Sequence, residues 1–260
     1  MKAKKSLGQN FLTSEAAIFK ITHAAHITPG EKVLEVGPGR GVLTKSLLAA
    51  GAHVIAVEKD NRLISELGEK FSVEVSDKKL TVIEKDILET TPQELGLETG
   101  KYKIVANLPY YITGQFLRNF LSTNNHPNTM VLLLQKEVVE RIIARDGKES
   151  LLSLSIKAYG APKKITVVDR GSFQPAPNVD SAVIAIENIS KGFFDTLTEE
   201  KFFQVIKAAF AHKRKILVSN LSEILDKEKV IAVLKELNLS EKSRAEDLTL
   251  ETWKKIIEKL

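Results

Sequence analysis

The chain has 260 residues, a formal net charge of +5, 43% hydrophobic residues and no cysteine. That length holds one large domain or a main domain with a small appendage, and that hydrophobic share supports a real core. The missing cysteine excludes a disulfide framework, a thiolate metal site and a cysteine nucleophile, which suits a reducing, cytoplasmic setting.

The N-terminus is basic, with Lys2, Lys4 and Lys5. No apolar segment follows it, so no signal peptide is expected. Ser14 precedes an apolar-periodic stretch to about His26, with Glu15 in its first turn, and Pro29-Gly30 ends it. That is the pattern of an N-capped helix. His23 and His26 are three apart, but no further ligand cluster accompanies them, so no metal site is expected.

Residues 33–36 then predict a strand that runs into Gly37-Pro38-Gly39-Arg40-Gly41 and a helix through Ala50. Residues 54–57 predict a second strand ending in Glu58, and Asp60 can cap a helix to about Phe71. A third strand is expected over 80–83, followed by Asp86, and a fourth over 104–106, followed by a helix near 115–121. Residues 130–134 predict a fifth strand, with a helix from about Lys136 to Arg145. Strands alternating with helices over short links argue for an α/β fold with a mostly parallel sheet covered on both faces. No apolar run is long enough to span a bilayer, so no membrane association is expected.

Past Leu151 the rhythm changes. A helix is expected to Tyr159, and 165–168 and 182–186 predict paired strands that close the sheet edge. They flank Phe173-Gln174-Pro175-Ala176-Pro177. From Thr198 onward only helical patterns remain, over 202–217, 227–237 and 250–260. The expected boundary lies near Ser190-Lys191-Gly192, giving a catalytic domain over 1–190 and a small all-α domain over 191–260.

Two groups of residues carry chemistry. The first is the glycine turn after residues 33–36, spaced G-x-G-x-G, where glycines let backbone approach a ligand closely. A dinucleotide site would also place glycines here and an acid at the next strand end. Glu58, which could accept from two ribose hydroxyls, therefore does not separate the readings. Glu35 does more, because a carboxylate before the glycines suits a cationic amino-acid moiety and opposes a pyrophosphate. Asp86 after the third strand is placed to accept from an adenine amino group. Together Glu35, Gly37, Gly39, Glu58 and Asp86 resemble the S-adenosylmethionine pocket of Rossmann-like methyltransferases.

The second group is Asn107-Leu108-Pro109-Tyr110 at the fourth strand end. An Asn side-chain oxygen and a rigid backbone carbonyl can each accept one N–H of an adenine amine, and Tyr110 can stack on the ring. An ordinary Asn-x-Pro turn uses the same residue types, so the tetrapeptide alone leaves both readings open. Among basic runs, Lys213-Arg214-Lys215 is dense and Lys163-Lys164 smaller. With the N-terminal lysines they favour contact with nucleic-acid phosphates.

Further motifs run along nearly the whole chain: Ser6-Leu7-Gly8 before Gln9-Asn10-Phe11-Leu12, then Gln135-Lys136-Glu137-Val138. They continue with Phe173-x-Pro175-x-Pro177-x-Val179-x-Ser181, Ala209-Phe210 with Arg214-Lys215 and Asn220-Leu221, and Arg244-Ala245-Glu246. In these the chain resembles the ribosomal RNA adenine dimethyltransferase family, and within it the small-subunit, KsgA-type branch. One departure is Lys148-Glu149-Ser150-Leu151, where family members commonly carry a Tyr-Gly pair.

The resemblance implies dimethylation of two adjacent adenosines near the 3′ end of 16S rRNA, with S-adenosylmethionine as donor and a small-subunit precursor as partner. Monomeric action is expected. It implies that Asn10 and Leu12 help close the cofactor pocket, that Gly37 and Glu58 contact the methionine and ribose portions, and that Asp86 contacts the adenine. Asn107 and the backbone after it would bind the target amine, Tyr110 would stack on the base, and Phe173 would cover its other face. The nearest rival is a large-subunit rRNA methyltransferase. More distant are a catalytically idle assembly factor and a nicotinamide dehydrogenase.

Overall fold

Continuous apolar runs with few charges suit parallel strands buried on both faces. The computed structural model, which describes residue 4 and residues 7–260, gathers them into one seven-stranded sheet. Lys2, Lys5 and Ser6 lie outside the described residues.

The chain begins β1 (Phe11–Leu12), α1 (Glu15–Ala24), β2 (Lys32–Val36), α2 (Val42–Ala49), β3 (His53–Glu58), α3 (Asn61–Lys70), α4 (Ser72–Ser76) and β4 (Leu80–Glu84). It continues β5 (Tyr102–Asn107), α5 (Thr113–Leu121), β6 (Thr129–Gln135), α6 (Lys136–Ile142), α7 (Leu151–Lys157), β7 (Ala161–Val168), β8 (Phe173–Gln174) and β9 (Ser181–Glu187). Four helices end it: α8 (Glu199–Ala209), α9 (Leu217–Leu221), α10 (Lys227–Glu236) and α11 (Leu250–Lys259).

The sheet order is β4-β3-β2-β5-β6-β9-β7. The strands from β4 to β6 are parallel, and β9 runs antiparallel to both its neighbours. The chain builds outward from β2 to β3 and β4, then crosses to β5 on the other side of β2. Such a switch point opens a crevice beyond the carboxyl ends of the strands. Glu35, Glu58, Asp86 and Asn107 all fall at or just past those ends because the parallel register aligns them, with Val36 opposite both Val57 and Ala106.

One face of the sheet packs Val33, Val54, Val105 and Val131 against Ile21 of α1, Leu43 and Leu47 of α2, and Leu67 of α3. The alternate residues Leu34, Ile104 and Leu132 point to the opposite face and are equally buried. The helices start where side chains can cap them. Ser14 accepts from the Ala17 N–H at 3.3 Å, and the Asp60 carboxylate stands at the N-terminus of α3.

The described residues form two compact units, one comprising the chain up to Val139 with Ala161–Ile189, the other Glu140–Gly160 and Ser190–Leu260. The division therefore differs from a single cut at residue 190: the stretch around α7 groups with the C-terminal helices. Apolar packing explains it, since Leu154 and Ala158 share a core with Phe202, Leu217, Leu234 and the fully buried Trp253. The Lys148-Glu149-Ser150 departure lies in this unit. Lys148 pairs with Asp247, the Glu149 N–H donates to the Glu246 carbonyl at 2.8 Å, and Ser150 forms a capping box with Ser153.

Several element boundaries differ from the sequence pattern, most clearly at three places. The helix expected over 202–217 is two, α8 and α9, because no large apolar residue continues the stripe through Ala211-His212-Lys213-Arg214-Lys215, all exposed. Asn220 holds the intervening turn, its amide donating to the carbonyls of Ala209 at 2.7 Å and His212 at 3.2 Å. The strand expected over 165–168 begins at Ala161, with a register shift between Lys164 and Thr166 interrupting its alternation. The helix expected to reach Arg145 ends at Ile142, where Ala144 takes a φ of 52°.

Candidate active site

The turn after β2 holds three glycines at positive φ, and at two of them a Cβ would crowd an aromatic ring. Gly39 has a φ of +57° and lies under the Phe11 ring, where an added Cβ would meet ring carbon at 3.0 Å. Gly41 opens α2 at a φ of +71°, and a Cβ there would stand 2.5 Å from the Phe71 ring. Gly37 also has positive φ, but a Cβ on it would meet nothing within 4 Å. It therefore faces open space, the crevice itself.

That crevice is a cavity of about 340 Å³, in the size range of small-molecule sites. Its walls include all of Asn10, Leu12, Glu35, Gly37, Gly39, Glu58, Asp86, Asn107, Leu108, Pro109, Tyr110 and Phe173. The sequence-based candidates for cofactor and target base thus converge on one site. Lys213, Arg214 and Lys215 lie elsewhere, exposed on the turn between α8 and α9 of the other unit. Lys215 there pairs with Glu223 at 3.1 Å.

The three acids differ in how they are held. Glu58 is buried and accepts three backbone N–H groups, from Gly39 at 3.2 Å and from Lys59 and Asp60 at 2.9 Å each. Burial raises its carboxyl, and those three N–H bonds oppose the rise. Asp86 accepts from the Leu88 N–H at 2.9 Å and from the Lys59 ammonium at 2.6 Å. Burial works against its charge, but Lys59 and the Leu88 N–H outweigh it and hold the carboxyl below the ordinary value.

Glu35 is 1% exposed, and neither carboxylate oxygen has a hydrogen-bond partner in the structure. Burial pushes its carboxyl up to about 8; Thr44 opposes the rise and the Glu58 carboxylate adds to it. The Thr44 hydroxyl is itself buried without a hydrogen bond, and is a polar neighbour of Glu35 rather than a bonded partner. An orphaned buried carboxylate on a cavity wall is costly unless a cationic or donor group meets it.

Around Asn107 the geometry is fixed. The Asn107 side-chain N–H donates to the Asn10 carbonyl at 3.1 Å, which leaves Oδ1 as the free acceptor of a residue that lines the cavity. The Tyr110 hydroxyl and Ser181 Oγ hydrogen-bond at 2.7 Å, pinning the ring. Phe173 is buried and pairs across β8 and β1 with Leu12. Tyr111, 63% exposed, stands at the cavity rim.

Sequence reasoning missed several of these contributors. Phe11 packs on Gly39 and carries the Arg40 guanidinium over its ring at 4.9 Å. Lys59 neutralises Asp86, and Lys4 pairs with Asp60 at 3.0 Å. Ser181 stood in a quoted motif, and its spacing could have suggested a partner for Tyr110. The β1–β8 pairing joins segments about 160 residues apart through two residues each and left no local signal.

A family model described as Ribosomal RNA adenine dimethylase matches residues 1–260. The chain belongs to that family. It is 42% identical over 258 residues to the Ribosomal RNA small subunit methyltransferase A of Dehalococcoides mccartyi, covering 98% of this chain and 88% of that one. A solved dimethyladenosine transferase from Plasmodium falciparum has a TM-score of 0.81 at 26% identity, covering 95% of each chain. The 23S rRNA methyltransferase ErmE has a TM-score of 0.79 at 25% identity, covering 96% of this chain and 99% of that one.

Membership makes the chain an S-adenosylmethionine-dependent rRNA adenine dimethyltransferase with a Rossmann-like sheet. The site fits that donor: an orphaned carboxylate at Glu35, a glycine cradle open to the cavity, and acids at the next two strand ends. Among the described residues no group of three or more His, Asp or Glu could hold a metal ion, and no helix is long and apolar enough to cross a membrane.

Proposed function

We propose that this chain dimethylates the N6 amines of two adjacent adenosines near the 3′ end of 16S rRNA, acting as a monomer on a precursor of the small ribosomal subunit. The observation that carries the chemistry is the Asn107 amide, whose N–H is engaged by the Asn10 carbonyl and whose Oδ1 is left free, on the wall of the cavity that Glu35, Glu58 and Asp86 also line. The small-subunit reading is supported by a relative of that name at 42% identity, against 25% for the large-subunit enzyme.

S-adenosylmethionine supplies an electrophilic methyl group on a sulfonium and needs no metal. Glu35 would face its cationic amino-acid end, Glu58 would accept from the ribose hydroxyls, Asp86 would accept from its adenine amine, and Asn10 and Leu12 would close over it. The target base is extruded from its stack or already single-stranded. Tyr110 lies against one face and Phe173 covers the other.

The target amine is a poor nucleophile, because its lone pair is delocalised into the ring. Asn107 Oδ1 accepts one N–H, and a backbone carbonyl accepts the second. Pro109 already accepts from the Ile112 N–H at 3.2 Å, so the Leu108 carbonyl is the better-placed partner. Two acceptors favour a more tetrahedral nitrogen, stabilise the positive charge growing on it, and hold it in line for transfer. The proton leaves to water after attack, so no general base is assigned. In the second transfer the amine has one N–H fewer, and a single acceptor suffices to orient it.

Lys213 and Arg214, with Lys215, contact RNA phosphates from the helical unit. The deciding experiment incubates the chain and labelled cofactor with under-methylated small subunits and, separately, with large-subunit RNA, then maps the methyl groups. Two adjacent dimethyladenosines in the small-subunit RNA are expected. Label confined to large-subunit RNA overturns the assignment.

A further inference from the structure

The N-terminal strap that carries Asn10 is anchored with more bonds than a surface segment needs. Its anchor is Asp60, whose side chain is 0% exposed. A helix N-cap requires one backbone N–H, here Arg62 at 3.4 Å. Asp60 also receives Arg62 Nε at 2.9 Å, Arg62 Nη2 at 2.6 Å, Lys4 Nζ at 3.0 Å and Gln9 Nε2 at 2.8 Å. The Arg62 guanidinium holds its carboxyl far below the ordinary range, against the pull of burial.

Gln9 links this anchor to the strap. Its Oε1 accepts from the Lys4 backbone N–H at 2.7 Å while its Nε2 reaches Asp60. The next residue is Asn10, whose carbonyl takes the Asn107 side-chain N–H and whose own amide donates to the Gly8 carbonyl at 3.2 Å. Beyond it Phe11 and Leu12 pair with Gln174 and Phe173, and the Thr13 N–H reaches the Ser172 carbonyl at 2.8 Å. Asn10 is thus suspended between two anchors, Asp60 on one side and β8 on the other. An Asn amide is nearly symmetric in shape, and only its hydrogen-bond partner decides whether oxygen or NH₂ faces the cavity. Turned over, Asn107 would present donors to a donor amine.

We propose that Asp60, acting through Gln9, is a positioning residue for Asn107: it holds the Asn10 carbonyl where it selects the acceptor orientation of the catalytic amide. This rests on the reading of Asn107 as the acceptor for the target amine. It places at Asp60 and Gln9 a role in the chemical step, although Asp60 does not line the cavity.

The test is a double-variant cycle on the full chain. Gln9→Met keeps length and removes the link, and Asp60→Asn keeps the helix cap while dropping the charge. Single-turnover transfer rates are measured for each, for Asn107→Ala, and for each pair with Asn107→Ala. Affinity for S-adenosylhomocysteine by calorimetry and amide exchange over 7–13 are measured alongside.

Gln9→Met is expected to slow transfer about tenfold, the scale of one hydrogen bond in the transition state. It should change cofactor affinity by about threefold or less and speed exchange over 7–13. Combined with Asn107→Ala it should add no further loss, because the amide it positions is gone. Asp60→Asn should behave in the same way. Additive losses in both double variants, or unaltered transfer in both Gln9→Met and Asp60→Asn, overturn the positioning role while leaving Asn107 in place. Normal transfer by Asn107→Ala overturns the underlying reading and this inference with it.

Discussion

Two asparagines in this chain make the same bond to different ends. Asn107, at the end of β5, donates its side-chain N–H to the Asn10 carbonyl and leaves its oxygen facing a cavity. Asn220, in α9, donates to the Ala209 and His212 carbonyls and leaves its oxygen buried without a partner. Both tie together segments that the sequence holds apart. What stands in front of the free oxygen separates them: a space sized for a ligand, or packed protein. The pairing teaches that a hydrogen bond between distant segments is not by itself a function, and that the space in front of the remaining oxygen is the better guide.

That contrast can be broken first at the pocket. Asn107→Ala is expected to keep cofactor binding but slow methyl transfer by on the order of tenfold to a hundredfold, from losing about 1–3 kcal/mol of hydrogen bonding. Single-turnover assays with calorimetry check it, and near-normal turnover would remove Asn107 from the chemistry. Asn220→Ala should show the reverse, a loss of about 1–3 kcal/mol in unfolding free energy from two lost bonds in a core, with transfer by the folded fraction little changed. Denaturant melts paired with activity decide it.

How these residues could be read in advance differs with the range of the contact. The strand ends were legible, because Glu35, Glu58, Asp86 and Asn107 each follow an apolar run and parallel register does the rest. The glycine turn was legible because its chemistry is local. The second unit was legible as helices but not in its extent: α7 precedes three further strands in the chain, and only its buried Leu154 and Ala158 reveal the allegiance. The β1–β8 pair and the Asp60 anchor were not legible at all, since each depends on a few atoms brought together by the completed fold. The break after Ala209 was visible only as missing apolar residues in a basic run, which the helical pattern on either side concealed.

A third prediction concerns Glu35, the orphaned acid. Its folded carboxyl is pushed up to about 8 from 4.5. A raised acid contributes its stability fully below the unfolded value and loses it as pH climbs through the folded value. Relative to Glu35→Gln, the unvaried chain should therefore weaken steadily between about pH 4.5 and pH 8. The Gln variant should melt higher at pH 9, with the gap closing toward pH 4.5, while its cofactor affinity at pH 9 is lower. Thermal melts across that range with cofactor titrations test both halves. A gap that ignores pH would mean the carboxyl is not held protonated by its surroundings.

The smallest expected effect is electrostatic. Replacing Lys213, Arg214 and Lys215 by Ala together should weaken RNA binding and lower the slope of log affinity against log salt by about 2, since each phosphate contact contributes a little under 1. Lys215 should contribute least, because Glu223 already neutralises it. An unchanged slope in binding assays from low to physiological salt would take this turn out of the interface.

The most direct measurement is a crystal structure of the chain with S-adenosylhomocysteine and a short adenosine-containing oligonucleotide. The account expects the adenine N6 within about 3 Å of Asn107 Oδ1, the Asn107 N–H still on the Asn10 carbonyl, and the base between Tyr110 and Phe173 with its amine directed at the sulfur. A base bound outside that slot, or an Asn107 amide presenting its NH₂ to the adenine amine, would contradict it.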